Sequence, residues 1–195
     1  MARTRQMLDE GAEIIDVGAC STRPGGDVAT EQQEMQRLRV ALTAVRKVAP
    51  EAVVSIDTFR SEVARMAIDE FGADIINDVS EGEDPAMFPL VAEKGVAYIL
   101  MSVKSNLHDM FLSMAQKVQM LRDMGQKDII LDPGFGFGKT MEENYALLDE
   151  MDKMQVMGLP LLVGISRKRM IHQILSITPD ESQNGTTVLN SIALM

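Results

Sequence analysis

Six short apolar segments recur along the chain, and none of them alternates apolar with polar residues. They are rich in Val, Ile and Leu and cover residues 12–18, 52–58, 73–79, 96–102, 128–134 and 159–166. Strands that are buried on both faces, as in parallel sheets, have this continuous apolar pattern. The sequence therefore predicts six strands of a parallel sheet.

Segments with helical periodicity lie between these strands. Thr30 and Gln33 form the pattern of a capping box, which predicts a helix that continues to about Val48. Further helices are predicted at Ser61 to Phe71, Pro85 to Lys94, Asp109 to Met124, and Met141 to Met157. Glycine, the usual residue after a helix, precedes the strands at Gly11, Gly72, Gly95, Gly125 and Gly158. The alternation favours either a doubly wound open sheet or a (β/α)8 barrel.

Polar residues at the ends of the strands favour the barrel. They are Asp16, Asp57, Asn77, Ser102 (after Met101), Asp132 and Ser166. In a barrel all strand C-termini meet at one mouth, whereas an open sheet concentrates functional groups at its switch point. We therefore predict an α/β (β/α)8 TIM barrel, with residues 1–195 forming a single domain. Because a barrel needs eight strands, we expect the first and last to be missing and the domain to be truncated at both ends.

Composition limits the classes of partner. The 195 residues are 46% hydrophobic, which suits one domain with a real core. Acids outnumber Lys and Arg by 29 to 19 without a basic stripe, which argues against nucleic acid and anionic membranes. No apolar run approaches the roughly 20 residues that span a bilayer. A single cysteine, Cys20, allows no disulfide within the chain, so we expect a cytoplasmic protein.

The segment ILDPGFGFGKT, residues 130–140, superficially resembles a nucleotide phosphate loop. Such a loop needs Gly, four further residues and then Gly-Lys-Ser/Thr, and Pro133 stands where the first Gly is required. Asp132 at the strand end would also repel a triphosphate. The spacing excludes a phosphate loop and raises the question of what an acid does there.

Acids and an amide at matching strand ends indicate a site for a flat heterocycle. Asp57, Asn77 and Asp132 are expected to project together into the barrel mouth. A carboxylate can accept a paired N–H and NH2 edge through both oxygens, as in a guanidine-like ring face. The alternative for each Asp is a structural cap on the following helix.

Two groups of cations are candidates for anion binding. Arg23 and Thr22 lie in STRPGG, residues 21–26, and could hold phosphate or carboxylate oxygens, although Pro24 and the glycines also suit a plain solvated turn. Lys168 lies in ISRKRM, residues 165–170, where cations at a helix start oppose the dipole and so suggest function. The alternative is a solvated charge run. Cys20 has no nearby candidate base for nucleophilic catalysis, and no metal-ligand spacing is present.

Taken together, these motifs resemble those of the dihydropteroate synthases, the sulfonamide-target enzymes of folate synthesis. The similarity extends over the whole chain through IIDVGACSTRPG, VVSIDTFRSEVA, DIINDVS, ILM, ILDPGFGFGKT and VGISRK. The resemblance implies a (β/α)8 barrel that joins 6-hydroxymethyl-7,8-dihydropterin diphosphate to p-aminobenzoate. The products are 7,8-dihydropteroate and pyrophosphate.

The resemblance also implies a role for each matching residue. The catalytic residues would be Asp57, Asp132, Lys168 and Arg23. The substrate-binding residues would be Thr22, Arg23, Pro24, Asp57, Asn77, Met101, Asp132, Phe137, Gly164 and Lys168. Within this set, Asn77 joins the acids and Lys168 on the pterin, and Phe137 lines the aminobenzoate pocket.

The resemblance implies Mg2+ as a cofactor that is bound with the substrate diphosphate, and a homodimer when the protein is full length. No metal ligand is predicted within the chain, because the family's ligand lies in an Asn-Val-Thr-Pro-Asp-Ser segment that is absent here, as is the Arg-x-His of the last strand. Two alternatives stay open. One is a pterin-binding methyltransferase that acts on methyltetrahydrofolate, and the other is an inactive pterin-binding fragment.

Overall fold

The Val-, Ile- and Leu-rich segments form the strands of a parallel sheet. A computed structural model describes residues 1–20 and 28–195, and within them five strands pair in the order β1-β2-β3-β4-β5. The strands are β1 Ile14–Gly18, β2 Val53–Asp57, β3 Ile75–Asp78, β4 Ala97–Met101 and β5 Ile129–Asp132. Strands that follow one another in sequence are therefore also neighbours in the sheet.

Helices connect the strands at the predicted places. They are α1 Ala2–Asp9, α2 Glu31–Val48, α3 Ser61–Phe71, α4 Met87–Lys94, α5 Leu107–Asp123, α6 Met141–Asp149, α7 Arg169–His172 and α8 Gln183–Ala193. Short 3-10 helices lie at Met151–Met157 and Asp180–Ser182. The capping box of α2 is present as predicted, with Thr30 and Gln33 bonded to each other's backbone.

Two elements differ from the sequence prediction. The sixth apolar segment forms only an isolated bridge between Leu131 and Leu161, with hydrogen bonds at Pro160 O and Leu162 N. Pro160 has no N–H to donate, so the ladder cannot extend through it towards the N-terminus. The helix predicted from Met141 to Met157 ends at Asp149 and continues as a 3-10 segment.

Packing divides the described residues into two compact units. The first unit comprises Met1–Ile99 and Leu121–Asp128, and the second comprises Leu100–Met120 and Ile129–Met195. Fully buried aliphatic residues of α2, β2, α3 and β3 fill the core of the first unit: Leu38, Leu42, Val54, Ile56, Val63 and Ile76. In the second unit the core includes Met110, Met114, Phe135 and Met154. Much of the methionine content is thus core filler.

A buried carboxylate closes the end of β3 in the first unit. Asp78 is fully buried and accepts hydrogen bonds from Tyr98 Oη at 2.8 Å, Ser80 N at 2.8 Å and Ser80 Oγ at 2.6 Å. Burial raises the pKa of Tyr98 well above its ordinary value, and the Asp78 charge adds to that rise. The tyrosine ring also meets the Phe88 ring edge to face at 5.6 Å.

Replacing Tyr98 by Phe is expected to lower the free energy of unfolding by roughly 1.5–3 kcal/mol, because a buried charged acceptor loses its donor. The matched control is Tyr145→Phe, which removes a 2.8 Å bond to the backbone carbonyl of Met170. That neutral bond is expected to contribute only about 0.5–1.5 kcal/mol. Urea unfolding of both variants measures the difference, and equal losses would contradict a special role for Asp78.

Candidate functional site

In the first unit, strand register brings together the predicted residues Asp57 and Asn77. Asp57 ends β2 and is the register partner of Asn77 on β3 and of Gly18 on β1. A Cβ at Gly18 would lie 3.2 Å from both Cβ and Oδ2 of Asp57, so glycine leaves room for the carboxylate there. Gly18 could not be recognised from the sequence, because only the strand register shows which side chain faces it.

The Asp57 carboxyl lies in surroundings that disfavour its charge. The pKa of Asp57 is raised from 3.8 to about 7, first by burial and then by the negative charges of Asp16, Glu34 and Asp78, in that order. The ionised form therefore needs a cationic or hydrogen-bond-donating partner. A ligand that presents N–H groups would supply such a partner.

The amide oxygen of Asn77 points to the same kind of ligand. Asn77 Oδ1 is buried and has no hydrogen-bond partner among the residues that the structure describes. Its backbone carbonyl, in contrast, accepts the N–H of Thr58 at 3.1 Å. Buried polar atoms are nearly always paired, so an unpaired acceptor beside Asp57 favours a ligand with a donor at this place.

A charged network behind Asp57 was not predicted from the sequence. Glu34 of α2 is fully buried, pairs with the Arg60 guanidinium, and accepts the Thr58 hydroxyl at 2.7 Å. Arg60 also donates to the carbonyl of Ala29 at 2.9 Å. The network fixes the segment after β2 against α2, and its only local signal is the arginine three residues after Asp57.

Neither strand-end acid caps the helix that follows it, which was the alternative interpretation. The N-cap of α3 is Arg60, and the first N–H of that helix, Ser61 N, donates to Asp84. The N-cap of α6 is Thr140, which forms a second capping box with Glu143. Asp57 and Asp132 are therefore available for another role.

Asp57→Asn is expected to make the protein more stable than the wild type at about pH 8, by up to roughly 4 kcal/mol, since one unit of pKa difference is worth about 1.4 kcal/mol. The folded chain holds a proton on Asp57 up to about pH 7, whereas the unfolded chain releases it near the ordinary pKa of 3.8. Between these values the folded state binds more protons, so stability falls as pH rises, and the loss persists above pH 7. Asparagine removes this loss.

Urea unfolding of wild type and Asp57→Asn across that pH range measures the effect. The stabilities are expected to converge below the ordinary carboxyl pKa and to separate as pH rises. A difference that does not change with pH would contradict the electrostatic explanation.

In the second unit, Asp132 ends β5 and is only 8% exposed. Its Oδ1 accepts the N–H of Gly134 at 2.7 Å, which turns the chain directly after the strand. Burial raises the pKa of Asp132, while the Gly134 hydrogen bond and then the charges of Lys168 and Lys139 act to lower it. The carboxylate is thus held in place by one backbone donor and flanked by two cations.

Lys168 is a half-buried cation beside this acid. Its Nζ donates to the carbonyl of Phe135 and lies 5.0 Å from the ring centroid of Phe137. Burial lowers the pKa of Lys168, and the charge of Asp132 acts to raise it. Cation, acid and aromatic ring therefore share one polar cluster in this unit.

Small residues make room for the Lys168 side chain. A Cβ at Gly136 would lie 3.0 Å from Lys168 Cδ, and a Cβ at Gly164 would lie 3.7 Å from Lys168 Nζ. Gly136 has a φ of 80°, a backbone conformation that residues other than glycine rarely adopt. Arg167, just before Lys168, also has a positive φ of 53°, and its N–H donates to Thr186 Oγ1 at 3.0 Å.

Met101 ends β4 and is fully buried. The next residue, Ser102, donates its N–H to the carbonyl of Asp132 at 2.8 Å. A Cβ at Gly134 would lie 3.2 Å from Met101 Cγ and 2.3 Å from Ser102 O, which only glycine avoids. Met101 therefore packs against the turn that follows Asp132.

Of the predicted site residues, the second unit thus brings together Met101, Asp132, Phe137, Gly164 and Lys168. Thr22, Arg23 and Pro24 lie outside the described residues. Within the described ranges, no three His, Cys, Asp or Glu side chains form a group that could hold a metal ion. No helix in those ranges is both long and apolar enough to cross a membrane.

Comparison with known proteins matches the whole chain, residues 1–195, to a family described as pterin binding enzyme. A dihydropteroate synthase of Clostridium beijerinckii is 36% identical over 98% of this chain and 74% of its own length. A Thermus thermophilus dihydropteroate synthase in complex with 4-aminobenzoate has a TM-score of 0.91 and 34% identity, covering 100% of this chain and 79% of that one. A Clostridium difficile enzyme of the same name, solved in the presence of pteroic acid, gives a TM-score of 0.93 at 27% identity, over 99% and 76%.

These similarities confirm the fold class predicted from the sequence, an α/β barrel fold with a parallel sheet. The chain spans about three quarters of the length of those relatives.

Proposed function

Since this chain belongs to the family of pterin binding enzymes, we propose that a defined set of its residues carries out the transferase reaction of its relatives. The function itself follows from that membership and from the named relatives: it is that of a dihydropteroate synthase in folate biosynthesis. The reaction joins 6-hydroxymethyl-7,8-dihydropterin diphosphate to p-aminobenzoate and releases pyrophosphate.

We propose that Asp57, Asn77, Asp132 and Lys168 bind the pterin. The single observation that carries this proposal is the buried Asn77 Oδ1, which has no hydrogen-bond partner among the described residues and lies beside an acid with a pKa of about 7. A pterin ring presents adjacent N–H and NH2 donors, which suit an amide oxygen and a carboxylate. Asp132 can accept further donors through Oδ2, while Lys168 Nζ can donate to a ring carbonyl or nitrogen.

Phe137 is proposed to line the aminobenzoate pocket with Pro24 and the aliphatic stem of Lys168. The support is the position of Lys168 Nζ, 5.0 Å from the Phe137 ring centroid. Such a pairing presents an aromatic face and a cation together, which suits a ring with a carboxylate. We place Met101 and Gly164 among the substrate-binding residues because they pack against the Asp132 turn and the Lys168 ammonium.

The acids would act on charge that develops during the reaction. When pyrophosphate leaves, the C–O bond to the pterin methylene breaks and positive charge spreads into the ring. The neutral amine of p-aminobenzoate then forms the new C–N bond and later loses a proton. Asp57 and Asp132 would stabilise the cation electrostatically in their low-dielectric surroundings. Thr22 and Arg23 are proposed to bind the departing pyrophosphate.

Mg2+ is proposed to be bound with the substrate diphosphate. The described residues do not fit a resident ion, because no group of three or more His, Cys, Asp or Glu comes together among them. A cytoplasmic location and a homodimer in the full-length protein are also proposed, and light scattering at several concentrations tests the dimer.

Incubation of the purified chain with pterin diphosphate, p-aminobenzoate and Mg2+ tests the function. We expect 7,8-dihydropteroate and pyrophosphate in equal amounts, and none when either substrate is left out. Pterin binding without product would instead indicate an inactive pterin-binding protein. Methyl transfer from methyltetrahydrofolate to a corrinoid would indicate the methyltransferase family.

A further inference from the structure

Lys139 belongs to the Gly-Lys-Thr that resembles a phosphate loop, but its side chain faces backbone carbonyls. Lys139 Nζ donates to Gly134 O at 2.9 Å, Ser102 O at 3.3 Å and Phe137 O at 3.4 Å. Gly134 O also accepts the N–H of Phe137 at 3.1 Å. One ammonium therefore joins the residue after β4 to both ends of a tight turn after β5.

The turn held by Lys139 carries the groups proposed to contact substrate. Gly134, Gly136 and Gly138 all have positive φ, so their conformations are not enforced by side-chain sterics and the backbone needs other restraints. Gly134 N–H fixes the Asp132 carboxylate, and Phe137 lies against Lys168. A change at the Lys139 ammonium would therefore reach both the acid and the aromatic ring.

A second side chain holds the same turn from α6. Asn144 is 3% exposed; its Oδ1 accepts Gly136 N–H at 2.7 Å and its Nδ2 donates to Thr140 O at 2.5 Å. The Thr140 capping box anchors that helix start. Asn144 thus binds the middle of the turn, whereas among the described residues Lys139 is the side chain that donates to the carbonyls of Gly134 and Phe137.

We propose that Lys139 is a positioning residue that holds the turn of residues 133–138 so that Phe137 meets p-aminobenzoate. The inference rests on the proposed function, in which Phe137 lines the aminobenzoate pocket. It assigns the lysine of the Gly-Lys-Thr motif to the backbone of its own turn rather than to a phosphate. Its positive charge also acts to lower the pKa of Asp132.

Lys139→Met tests the proposal, with Lys139→Arg as the rescue variant and the exposed Lys127→Met as a control of equal charge change. We expect Lys139→Met to raise KM for p-aminobenzoate roughly 10-fold, with a much smaller change in KM for the pterin diphosphate. Arginine should restore most of the affinity, because it also donates to several carbonyls. The acid limb of the pH profile should move upward in the methionine variant alone.

Amide hydrogen exchange of residues 133–140 provides a measurement that needs no activity. We expect exchange to accelerate at least roughly 10-fold in Lys139→Met and to stay near wild type in Lys139→Arg and Lys127→Met. Unchanged exchange would overturn the proposal even if the variants were inactive. If Lys139→Met does not fold, the Lys139→Arg variant tests the proposal. Unfolding of Lys139→Arg, or an equal loss of activity with both substrates, would overturn a positioning role. An inactive wild type would refute the proposed function alone.

Discussion

Asp132→Asn is expected to lower kcat/KM for the pterin diphosphate by about 10²–10³-fold, because it removes a charge that is proposed to stabilise the developing cation, an effect worth roughly 3–4 kcal/mol. Asp132 is 8% exposed and lies beside Lys168, whose charge acts to lower its pKa. The amide would leave Lys168 without this counter-charge. It would also replace one of the two acceptor oxygens by an NH2 donor. That donor would face either the Gly134 N–H or the N–H groups of the ligand.

Asp128→Asn is the matched control, because Asp128 immediately precedes the same strand and its side chain is exposed. It should retain wild-type kinetics and a wild-type free energy of unfolding. Steady-state kinetics with the pterin diphosphate varied at saturating p-aminobenzoate measures the effect. If Asp132→Asn kept kcat/KM within about 3-fold of wild type, Asp132 would not bind the reacting pterin.

Lys168→Met is expected to lower kcat/KM about 10²-fold, through loss of a charge-assisted contact worth roughly 2–3 kcal/mol. Methionine keeps an aliphatic stem for packing beside Gly136 and Phe137 but removes the ammonium that faces Phe135 O. The loss should affect both substrates, because the proposal places the ammonium on the pterin and the stem against the aminobenzoate.

Lys153→Met serves as the control for Lys168→Met, since it removes a cation whose side chain is 56% exposed and which pairs with Glu150. Surface pairs of this kind contribute little to stability, so neither the kinetics nor the free energy of unfolding should change appreciably. Kinetics with each substrate varied in turn, together with urea unfolding, separate binding from folding. If the loss of kcat/KM in Lys168→Met were explained wholly by unfolding of the variant, a binding role for Lys168 would be contradicted.

Local sequence signals predicted most of the fold. The capping box at Thr30 marked the start of α2, and the glycines after the helices marked several of their ends, with Gly72, Gly95 and Gly158 in the left-handed conformation. Such signals depend on residues a few positions apart, which the sequence displays directly. The prediction of a full sixth strand was wrong, and the apolar character of its segment concealed that Pro160 lacks the N–H that would extend the pairing towards the N-terminus.

The site was predictable only as a set of residue types at strand ends. Its supporting contacts join residues far apart in sequence, such as Glu34 with Arg60 and Tyr98 with Asp78. No local pattern encodes these pairs, since they depend on which helix packs on which strand. Lys139 shows the same limit, because its spacing excluded a phosphate loop but could not reveal the carbonyls that it binds.

A crystal structure of the chain with 6-hydroxymethylpterin tests most directly whether Asp57 and Asn77 bind the donor groups of a pterin ring. We expect ring N–H or NH2 nitrogens within about 2.7–3.2 Å of the Asp57 carboxyl and of Asn77 Oδ1. A bound ring that contacts neither side chain would contradict the proposed pterin site.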